Sequence, residues 1–291
     1  MSMIPMGFLN AVVALGVGAE KERRWIGTGF LVQRKEKDNS GKATIYLITN
    51  KHVIENQMLL YIRFNATVGS LVKDYEIHLY NPDGTYCYTA HPNKDSDVIA
   101  LKINPNALIN DSSIWAAFDL DDNALTLEQM QATGVQEGSL VYALGFPMGL
   151  VDNIKTPICR LGCISRVFDA FLLKQGTPCY LVDAQVFPGN SGGPIINRPE
   201  QIAIAGTVAN DRANLIGILS AYLPYEDTLV SLQTGKPRMV QSENSGLTIV
   251  HPVDRIKEVV ELEWKRVEDL LIRQQGQSRE PKDTTPQEEA V

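Results

Sequence analysis

Short apolar or alternating segments recur along about the first 250 residues of the chain, and this recurrence constrains the fold more than any other feature. Turn residues separate the segments from one another. The clearest examples are GTGFLV (27–32), TIYLIT (44–49), LLYIRF (59–64), DVIALKI (97–103), SLVYALGF (139–146) and LIGILSAY (215–222). Many short strands separated by turns are typical of a barrel or a sandwich, so the sequence predicts an all-β protein.

The first strands are predicted to pair locally. We expect a strand over residues 10–16, a turn over 19–23 and a returning strand over 25–32. Further on, residues 76–90 contain Pro-Asp-Gly between two alternating arms. This turn chemistry predicts a hairpin there.

The middle and the end of the chain have a different character. Residues 119–138 are polar and acidic, and Thr126 and Gln129 have the spacing of a capping box, so we expect a short helical connection between two β-units. Over residues 252–273 apolar residues recur every three or four positions, which predicts one amphipathic helix. Residues 274–291 have almost no apolar side chains and are expected to form a disordered tail.

The charge balance limits the kinds of partner. Lysine and arginine number 27 against 34 aspartates and glutamates, a net charge of −7, so we expect no nucleic-acid and no membrane partner. No apolar run reaches the roughly 18 residues of a spanning helix, which favours a soluble protein. Residues 1–19 resemble a signal peptide but lack a cationic start, so we expect a cytoplasmic protein, with secretion or a periplasmic location as the alternative.

The cysteines do not indicate a structural or metal role. Cys87, Cys159, Cys163 and Cys179 are too few for a disulfide framework in a chain of 291 residues. Cys159 and Cys163 on one strand would lie about 13 Å apart, which is too far for a bridge. Their spacing matches no zinc pattern, so we expect buried, reduced thiols and neither a metal nor another cofactor.

A serine in a glycine-rich turn, GNSGG at residues 189–193, fits two hydrolase architectures. The nucleophile elbow of an α/β-hydrolase needs a helix directly after the serine. Here Gly-Gly-Pro-Ile-Ile follows, which disfavours a helix and suits a strand. The elbow family also places its histidine after the serine, and His251, beside a proline, is the one histidine downstream. An elbow-type esterase is therefore the weaker hypothesis.

The second architecture places histidine first, aspartate second and serine last, in a crevice between two barrels. His52 lies near the end of a β-rich run, and Asp97 opens an apolar strand. They are 45 residues apart, and Ser191 follows 94 residues later. This order assigns the histidine and aspartate to a first β-unit and the serine to a second.

Several motifs in this order resemble the trypsin-like serine proteases of the HtrA kind. The matching segments are GTGFLV (27–32), LITNKHVI (47–54), DSDVIALKI (95–103), EGSLVYALGFPMGL (137–150), VDAQVFPGNSGGPI (182–195), LIGILSAY (215–222) and SGLTIVHPVDRIKEV (245–259). The resemblance implies two six-stranded antiparallel β-barrels with a C-terminal α-helix. We expect a peptidase domain over 1–273, with barrels at about 8–118 and 135–250, the helix at 252–273 and the tail at 274–291.

The resemblance also implies a role for each site residue. Ser191 would be the nucleophile, His52 the general base and Asp97 the acid that orients the imidazole, with Asp95 as the rival acid. The backbone N–H groups of Gly189 and Ser191 would form the oxyanion hole. The implied activity is cleavage of peptide bonds through an acyl-enzyme intermediate, with a protein or peptide as substrate.

Specificity and activation are predicted from neighbouring positions. The resemblance implies that Gln185 lies at the base of the specificity pocket and that Ile218, Leu219 and Ser220 form its wall. Because none of these is acidic, we expect cleavage after small or medium apolar residues. Asn190 stands where zymogen-activated relatives have an aspartate, which predicts a protease made without zymogen cleavage. HtrA proteins typically add a PDZ domain, and we expect none here. The alternative function is a catalytically silent or partner-activated, chaperone-like module that binds peptides.

Overall fold

The computed structural model describes residues 4–36, 41–67, 71–151, 153, 155–172 and 179–277. The strands are β1 (Val12–Val17), β2 (Arg24–Lys35), β3 (Ala43–Thr49), β4 (Leu59–Ala66), β5 (Val72–His78), β6 (Thr89–Ala90), β7 (Ile99–Ile103), β8 (Ser113–Ile114), β9 (Phe118–Asp119), β10 (Leu140–Gly145), β11 (Ile158–Arg166), β12 (Tyr180–Asp183), β13 (Pro194–Asn197), β14 (Leu215–Val230) and β15 (Pro237–Pro252). The α-helices are α1 (Met6–Ala11), α2 (Lys51–Ile54), α3 (Asn106–Asn110), α4 (Leu127–Ala132), α5 (Phe168–Leu172) and α6 (Val253–Gln277).

The C-terminal half is a closed barrel of six antiparallel strands in the order β10-β11-β12-β15-β14-β13. The prediction of a six-stranded barrel is confirmed for this half. Ser191 is followed by β13 rather than by a helix. The elbow-type esterase, which requires a helix at that point, is therefore excluded.

The N-terminal half is a nine-stranded sheet in the order β5-β4-β1-β2-β3-β7-β6, with β8 paired to β4 and β9 paired in parallel to β2. Within the described residues the ends of this sheet, β5 and β6, do not pair with each other, so the prediction of a second closed six-stranded barrel is not met. The short length of β6, two residues, limits how far a ladder could close the gap.

Helix α6 fastens the two halves together. Its buried residues belong to a cluster that also contains Phe30 and Phe118 of the N-terminal sheet and Ile218 of the barrel. Glu263 of α6 is fully buried and accepts hydrogen bonds from Thr89 Oγ1 at 2.6 Å and from Arg266. The predicted amphipathic helix is confirmed. It ends at Gln277, four residues beyond the expected end, and the rest of the predicted tail lies outside the described residues.

Local predictions fare differently from one another. The capping box of Thr126 and Gln129 is present at the start of α4. The predicted hairpin at 76–90 closes more tightly than expected, through a bridge between Tyr80 and Tyr86. The first strand begins at Val12 instead of residue 10, because helix α1 precedes it. No helix in the described ranges has the length and apolarity needed to cross a bilayer.

Candidate active site

A histidine and an aspartate meet where α2 leaves β3 and the chain enters β7. His52 lies on α2, and its Nδ1 makes a short hydrogen bond with Asp97 Oδ2. The His52 backbone N–H donates to Asp97 Oδ1 at 3.1 Å. Asn50, just before α2, donates from Nδ2 to the Asp97 carbonyl oxygen at 2.6 Å. Asp95, the rival acid, is exposed, and its N–H donates to Asn93 Oδ1. The structure therefore brings His52 together with Asp97.

Two residues of the C-terminal barrel reach the same aspartate. Ser220 on β14 donates from Oγ to Asp97 Oδ2 at 3.1 Å, and the Asp97 N–H donates to His251 Nε2 at 3.3 Å. Burial acts to raise the pKa of Asp97, but the hydrogen bonds and charge of His52 and the Ser220 hydroxyl outweigh it and hold this pKa below its ordinary value. Burial lowers the pKa of His251 to about 4, so its neutral ring can accept the bond. The carboxylate is thus kept ionised.

The segment before the candidate nucleophile is a tight turn. The N–H of Asn190 donates to Phe187 O at 3.0 Å, with Pro188 second and Gly189 third in the turn. Gly189 has a φ of 98°, and this combination identifies a type II turn. The N–H of Met148 donates to Pro188 O at 2.6 Å and holds the central peptide in this orientation.

Thr28 on β2 connects this turn to the N-terminal sheet. It is fully buried, and its Oγ1 donates to Gly189 O at 2.6 Å while accepting from the Phe146 N–H at 3.0 Å. Its N–H donates to Ser191 O at 2.9 Å, and its carbonyl accepts from Thr49 Oγ1 at 2.8 Å. All the polar groups of one side chain and its peptide are therefore used to fix the residues on both sides of Asn190.

Ser191 lies beside the segment that carries His52. The next residue, Gly192, packs so closely on β3 that an added Cβ would lie 2.3 Å from Thr49 Oγ1, three residues before His52. In the described chain the Ser191 hydroxyl makes no hydrogen bond, to His52 or to any other group. The N–H groups of Gly189 and Ser191 likewise donate to no group of the described chain. Two adjacent donors therefore stay free for a bound ligand.

The thiols lie apart from this site. Among the described residues all four cysteines are unpaired, and no group of three or more His, Cys, Asp or Glu side chains could hold a metal ion. Cys159 and Cys179 are exposed, and Cys87 and Cys163 are partly exposed, so the prediction of buried thiols is wrong. Burial still raises the pKa of Cys87 and of Cys159.

Comparison with known proteins identifies the family. The model of the trypsin-like peptidase domain matches residues 27–203, which is more than half of the chain. The chain belongs to the trypsin-like peptidase family. It is also similar to a probable periplasmic serine endoprotease, DegP-like, from Halomonas elongata, with 24% identity over 180 residues, 62% of this chain and 28% of that protein. A protein of the same description from Pseudomonas fulva is 24% identical over 182 residues, 62% of this chain and 29% of its own length.

These relatives confirm the resemblance to HtrA-like serine proteases, and the chain spans less than a third of their length. Within this trypsin-like peptidase the predicted specificity residues occupy different places from those expected. Gln185 is exposed and does not form the base of an enclosed pocket. Ile218 and Leu219 are buried in hydrophobic clusters, and the backbone groups of Leu219 bond to the glycines after Ser191. Neither can therefore wall a pocket. Ser220 contacts Asp97 instead.

Sequence reasoning missed several residues that build this site. Thr28 lies within the quoted motif GTGFLV, but its contacts involve backbone atoms of distant loops, which no spacing reveals. His251 was considered as an esterase base, and the structure gives it a contact with Asp97. Met148 follows a proline in the motif LGFPMGL, and that proline was the available signal of a special turn.

Proposed function

We propose that the chain is a serine endopeptidase in which Ser191 attacks the substrate carbonyl. The observation that carries this proposal is the network of His52, Asp97 and Ser220 beside the Ser191 turn. His52 takes the hydroxyl proton as the Oγ–carbon bond forms and returns it to the leaving amine as the peptide bond breaks. Water then hydrolyses the acyl-enzyme ester. Asp97 stays ionised throughout and stabilises the imidazolium.

The free N–H groups of Gly189 and Ser191 form the proposed oxyanion hole. The type II turn supports this role, since both donors are unused within the described chain and the Met148 bond to Pro188 O fixes the peptide that carries the Gly189 N–H. Fixed donors need no reorganisation as the negative charge develops on the oxygen. Loss of one such donor typically costs about 2.7–4 kcal/mol of transition-state stabilisation.

The substrate backbone is proposed to pair with β14 just beyond Leu219. Strand β13 pairs with one edge of β14 only as far as Ile218, and Ala221 and Tyr222 are exposed there while their other edge pairs with β15. This revises the expected pairing with residues 218–220. No acidic side chain is found among Gln185, Ser220, Ala221 and Tyr222, which supports a preference for small or medium apolar residues before the scissile bond.

Activity without zymogen cleavage is part of the same proposal. Asn190 is 4% exposed, and its Oδ1 packs where a Cβ on Gly145 would lie only 2.8 Å away. An uncharged amide in that position cannot form an ion pair with a new N-terminal amine. The turn that carries Gly189 is held by Thr28 and Met148 instead.

The decisive experiment is labelling of the native protein with a fluorophosphonate. The wild-type chain should be labelled, and Ser191→Ala should not, although both proteins give the same circular dichroism spectrum. His52→Ala should slow labelling by several orders of magnitude because the hydroxyl loses its base. A well-folded wild-type protein that remains unlabelled and cleaves no casein would refute the proposal.

A second candidate is a peptide-binding, chaperone-like module that is silent or awaits an activating partner. The missing hydrogen bond between the Ser191 hydroxyl and His52 is the observation that favours it. Casein cleavage measured beside casein binding separates the two functions. Turnover by the purified chain supports the peptidase, and binding without turnover supports the module.

Domain limits and compartment are also proposed. We assign residues 1–273 to one peptidase unit, which limited proteolysis followed by mass spectrometry tests through the fragment that survives. The printed names of both relatives describe periplasmic proteins, so we favour the secreted or periplasmic alternative over the cytoplasm. Fractionation of the native cell, with the chain detected by antibody, distinguishes the two compartments.

A further inference from the structure

Strands β14 and β15 run far beyond the barrel. Both are 16 residues long, and their antiparallel register continues from Pro224 opposite Asn244 to Val230 opposite Pro237. Every residue in these two stretches is exposed. We call residues 224–244 the ribbon. It is a two-stranded extension that packs on nothing else among the described residues.

The outer part of the ribbon exposes large apolar side chains on both faces. Leu229 lies opposite Met239 on one face, and Val240 lies opposite Thr228 on the other. The exposed fractions are 53% for Leu229, 60% for Met239, 57% for Val240, 53% for Val230 and 98% for Leu232 at the tip. A two-stranded hairpin is marginal in water, and clustered exposed apolar side chains mark an interaction surface. A third strand would supply the missing pairing.

One edge of the ribbon leads directly into the candidate active site. Strand β13 covers this edge of β14 as far as Ile218, and the glycines after Ser191 bond to Leu219. Beyond Leu219 no strand of the described chain pairs with that edge. It therefore runs uninterrupted from Ser220, which donates to Asp97, to Val230 at the far end of the ribbon.

We propose that this edge of β14 binds the substrate polypeptide upstream of the scissile bond, as an added antiparallel strand. The inference rests on the proposed peptidase function. Strand β14 runs outward from the site, so an antiparallel substrate runs inward and its bound residues precede the cleaved bond. From Ser220 to Val230 the edge spans about 33 Å, which matches about ten substrate residues.

The chemistry of the edge defines the substrate class. Main-chain hydrogen bonds along a strand edge require an extended segment, and alternate side chains of that segment meet the two faces of the ribbon. The apolar residues Leu229, Val230 and Val240 lie at the far end. The substrate is therefore an unfolded polypeptide with apolar, strand-forming residues about eight to ten positions before the cleaved bond. A folded protein cannot present such a segment.

The test compares a long and a short substrate on two proteins. Sites cut in β-casein, a natively unfolded protein, are mapped by mass spectrometry, and two quenched fluorescent peptides are built around one site, with ten or four residues upstream. In the shortened variant Asn-Gly replaces residues 226–242 and joins Tyr225 to Glu243, which face each other in the ladder. Wild type should cleave the long peptide with a kcat/KM at least 10-fold higher, mainly through KM. The shortened variant should lose this advantage and cleave the short peptide as wild type does.

Two controls examine the mode of binding. N-methylation of the long peptide at two successive upstream amides should weaken cleavage at one position and not at the other, because alternate N–H groups face the edge. The double variant Leu229→Thr and Met239→Thr keeps the ribbon but removes apolar surface, and it should lose part of the advantage. Equal cleavage of both peptides by wild type, or an advantage that survives shortening, would overturn the proposal.

Failure of the peptidase function leaves the docking proposal testable. Fluorescence anisotropy measures binding of the fluorescein-labelled 14-residue peptide NSLPQNIPPLTQTP, taken from β-casein, to the Ser191→Ala protein and to its shortened form. Ribbon-dependent binding supports docking even where wild type cleaves nothing, and equal binding by both forms refutes docking. A wild-type dimer that dissociates on shortening, seen by sedimentation, would assign the ribbon to a second copy of the chain and likewise refute the proposal.

Discussion

Thr28 is the residue on which the proposed oxyanion turn depends most. Its hydroxyl and N–H together bond to Gly189 O, Ser191 O and the Phe146 N–H, so one buried side chain sets the positions of both proposed oxyanion donors. Because it would not touch the substrate, Thr28 is a positioning residue. Its loss should therefore affect kcat more than KM.

The matched variants Thr28→Val and Thr28→Ser test this role. Valine keeps the shape but leaves Gly189 O and the Phe146 N–H unpaired, and each unpaired buried group costs about 1–3 kcal/mol. We expect kcat to fall about 10-fold or more in Thr28→Val, with little change in KM, and to recover in Thr28→Ser. Steady-state kinetics on a fluorescent peptide measure both parameters. Similar kcat values for the valine and serine variants would contradict the role.

His251 makes the fold sensitive to acid. Its pKa is about 4 in the fold, against an ordinary 6.5, because of burial. As pH falls from 6.5 to 4 the unfolded chain takes up the proton first, so this contribution to the free energy of unfolding is complete above pH 6.5 and is lost through that window. The loss amounts to about 3 kcal/mol.

The variant His251→Gln isolates this effect. Glutamine can still accept the Asp97 N–H bond, but it does not titrate. We expect its free energy of unfolding to fall by about 2–3 kcal/mol less than that of wild type between pH 7 and pH 4.5. Urea unfolding at several pH values provides the comparison. Parallel pH profiles for the two proteins would show that His251 does not titrate as proposed.

At the scale of elements, the turn over residues 187–190 requires glycine at its third position. Gly189 has a φ of 98°, and a Cβ there would lie 2.5 Å from Phe146 O. Gly189→Ala should therefore displace the turn and lower kcat by about 10²–10³-fold, as the loss of one oxyanion donor does.

Gly206 offers the matched control for Gly189→Ala. Its φ is 88°, but nothing lies within 4 Å of an added Cβ. Gly206→Ala should thus carry a similar backbone strain of about 1–2 kcal/mol and leave kcat unchanged. The two variants are compared by peptide kinetics and by thermal unfolding. Equal losses of kcat in both would show that strain alone, and not the turn, accounts for the effect.

The elements that the sequence could predict are those whose signal is local. Alternation and turn residues indicated β2, β3, β4 and β10, and the capping box indicated α4. The predicted strand at 215–222 gave only the barrel part of β14. The ribbon follows from pairing with residues 237–252, and long-range pairing leaves no local mark. Helix α1 was missed because its apolar residues continue directly into those of β1.

The site shows the same division. Chain order and neighbouring motifs were enough to select His52 and Asp97, which the structure joins. The positions of Ile218 and Leu219 could not be inferred, because a shift of two residues along β14 separates the barrel core from the exposed edge at Ala221. A count of residues from a motif cannot resolve such a shift where the chain has an unusual loop before the strand.

At the scale of the whole molecule, a buried lysine connects the two halves. Lys155 follows the segment that carries Met148, and its Nζ donates to Val12 O at 2.5 Å and to Asn10 O at 3.4 Å. Its peptide exchanges two further hydrogen bonds with the Asn65 side chain. No carboxylate among the described residues pairs with this amine. Burial therefore lowers the pKa of Lys155 to about 7.

This lysine should make the docked halves more stable in mild alkali. Between pH 7 and 10.5 the unfolded chain holds the proton that the folded chain has released, so the free energy of unfolding rises with pH, by at most about 5 kcal/mol. In Lys155→Met this rise should disappear, and the stability of the variant relative to wild type should be highest near pH 6 and fall towards pH 10. The exposed Lys236→Met should follow wild type throughout. Urea unfolding from pH 6 to pH 10 measures all three proteins, and a constant difference between Lys155→Met and wild type would mean that the amine stays charged in the fold.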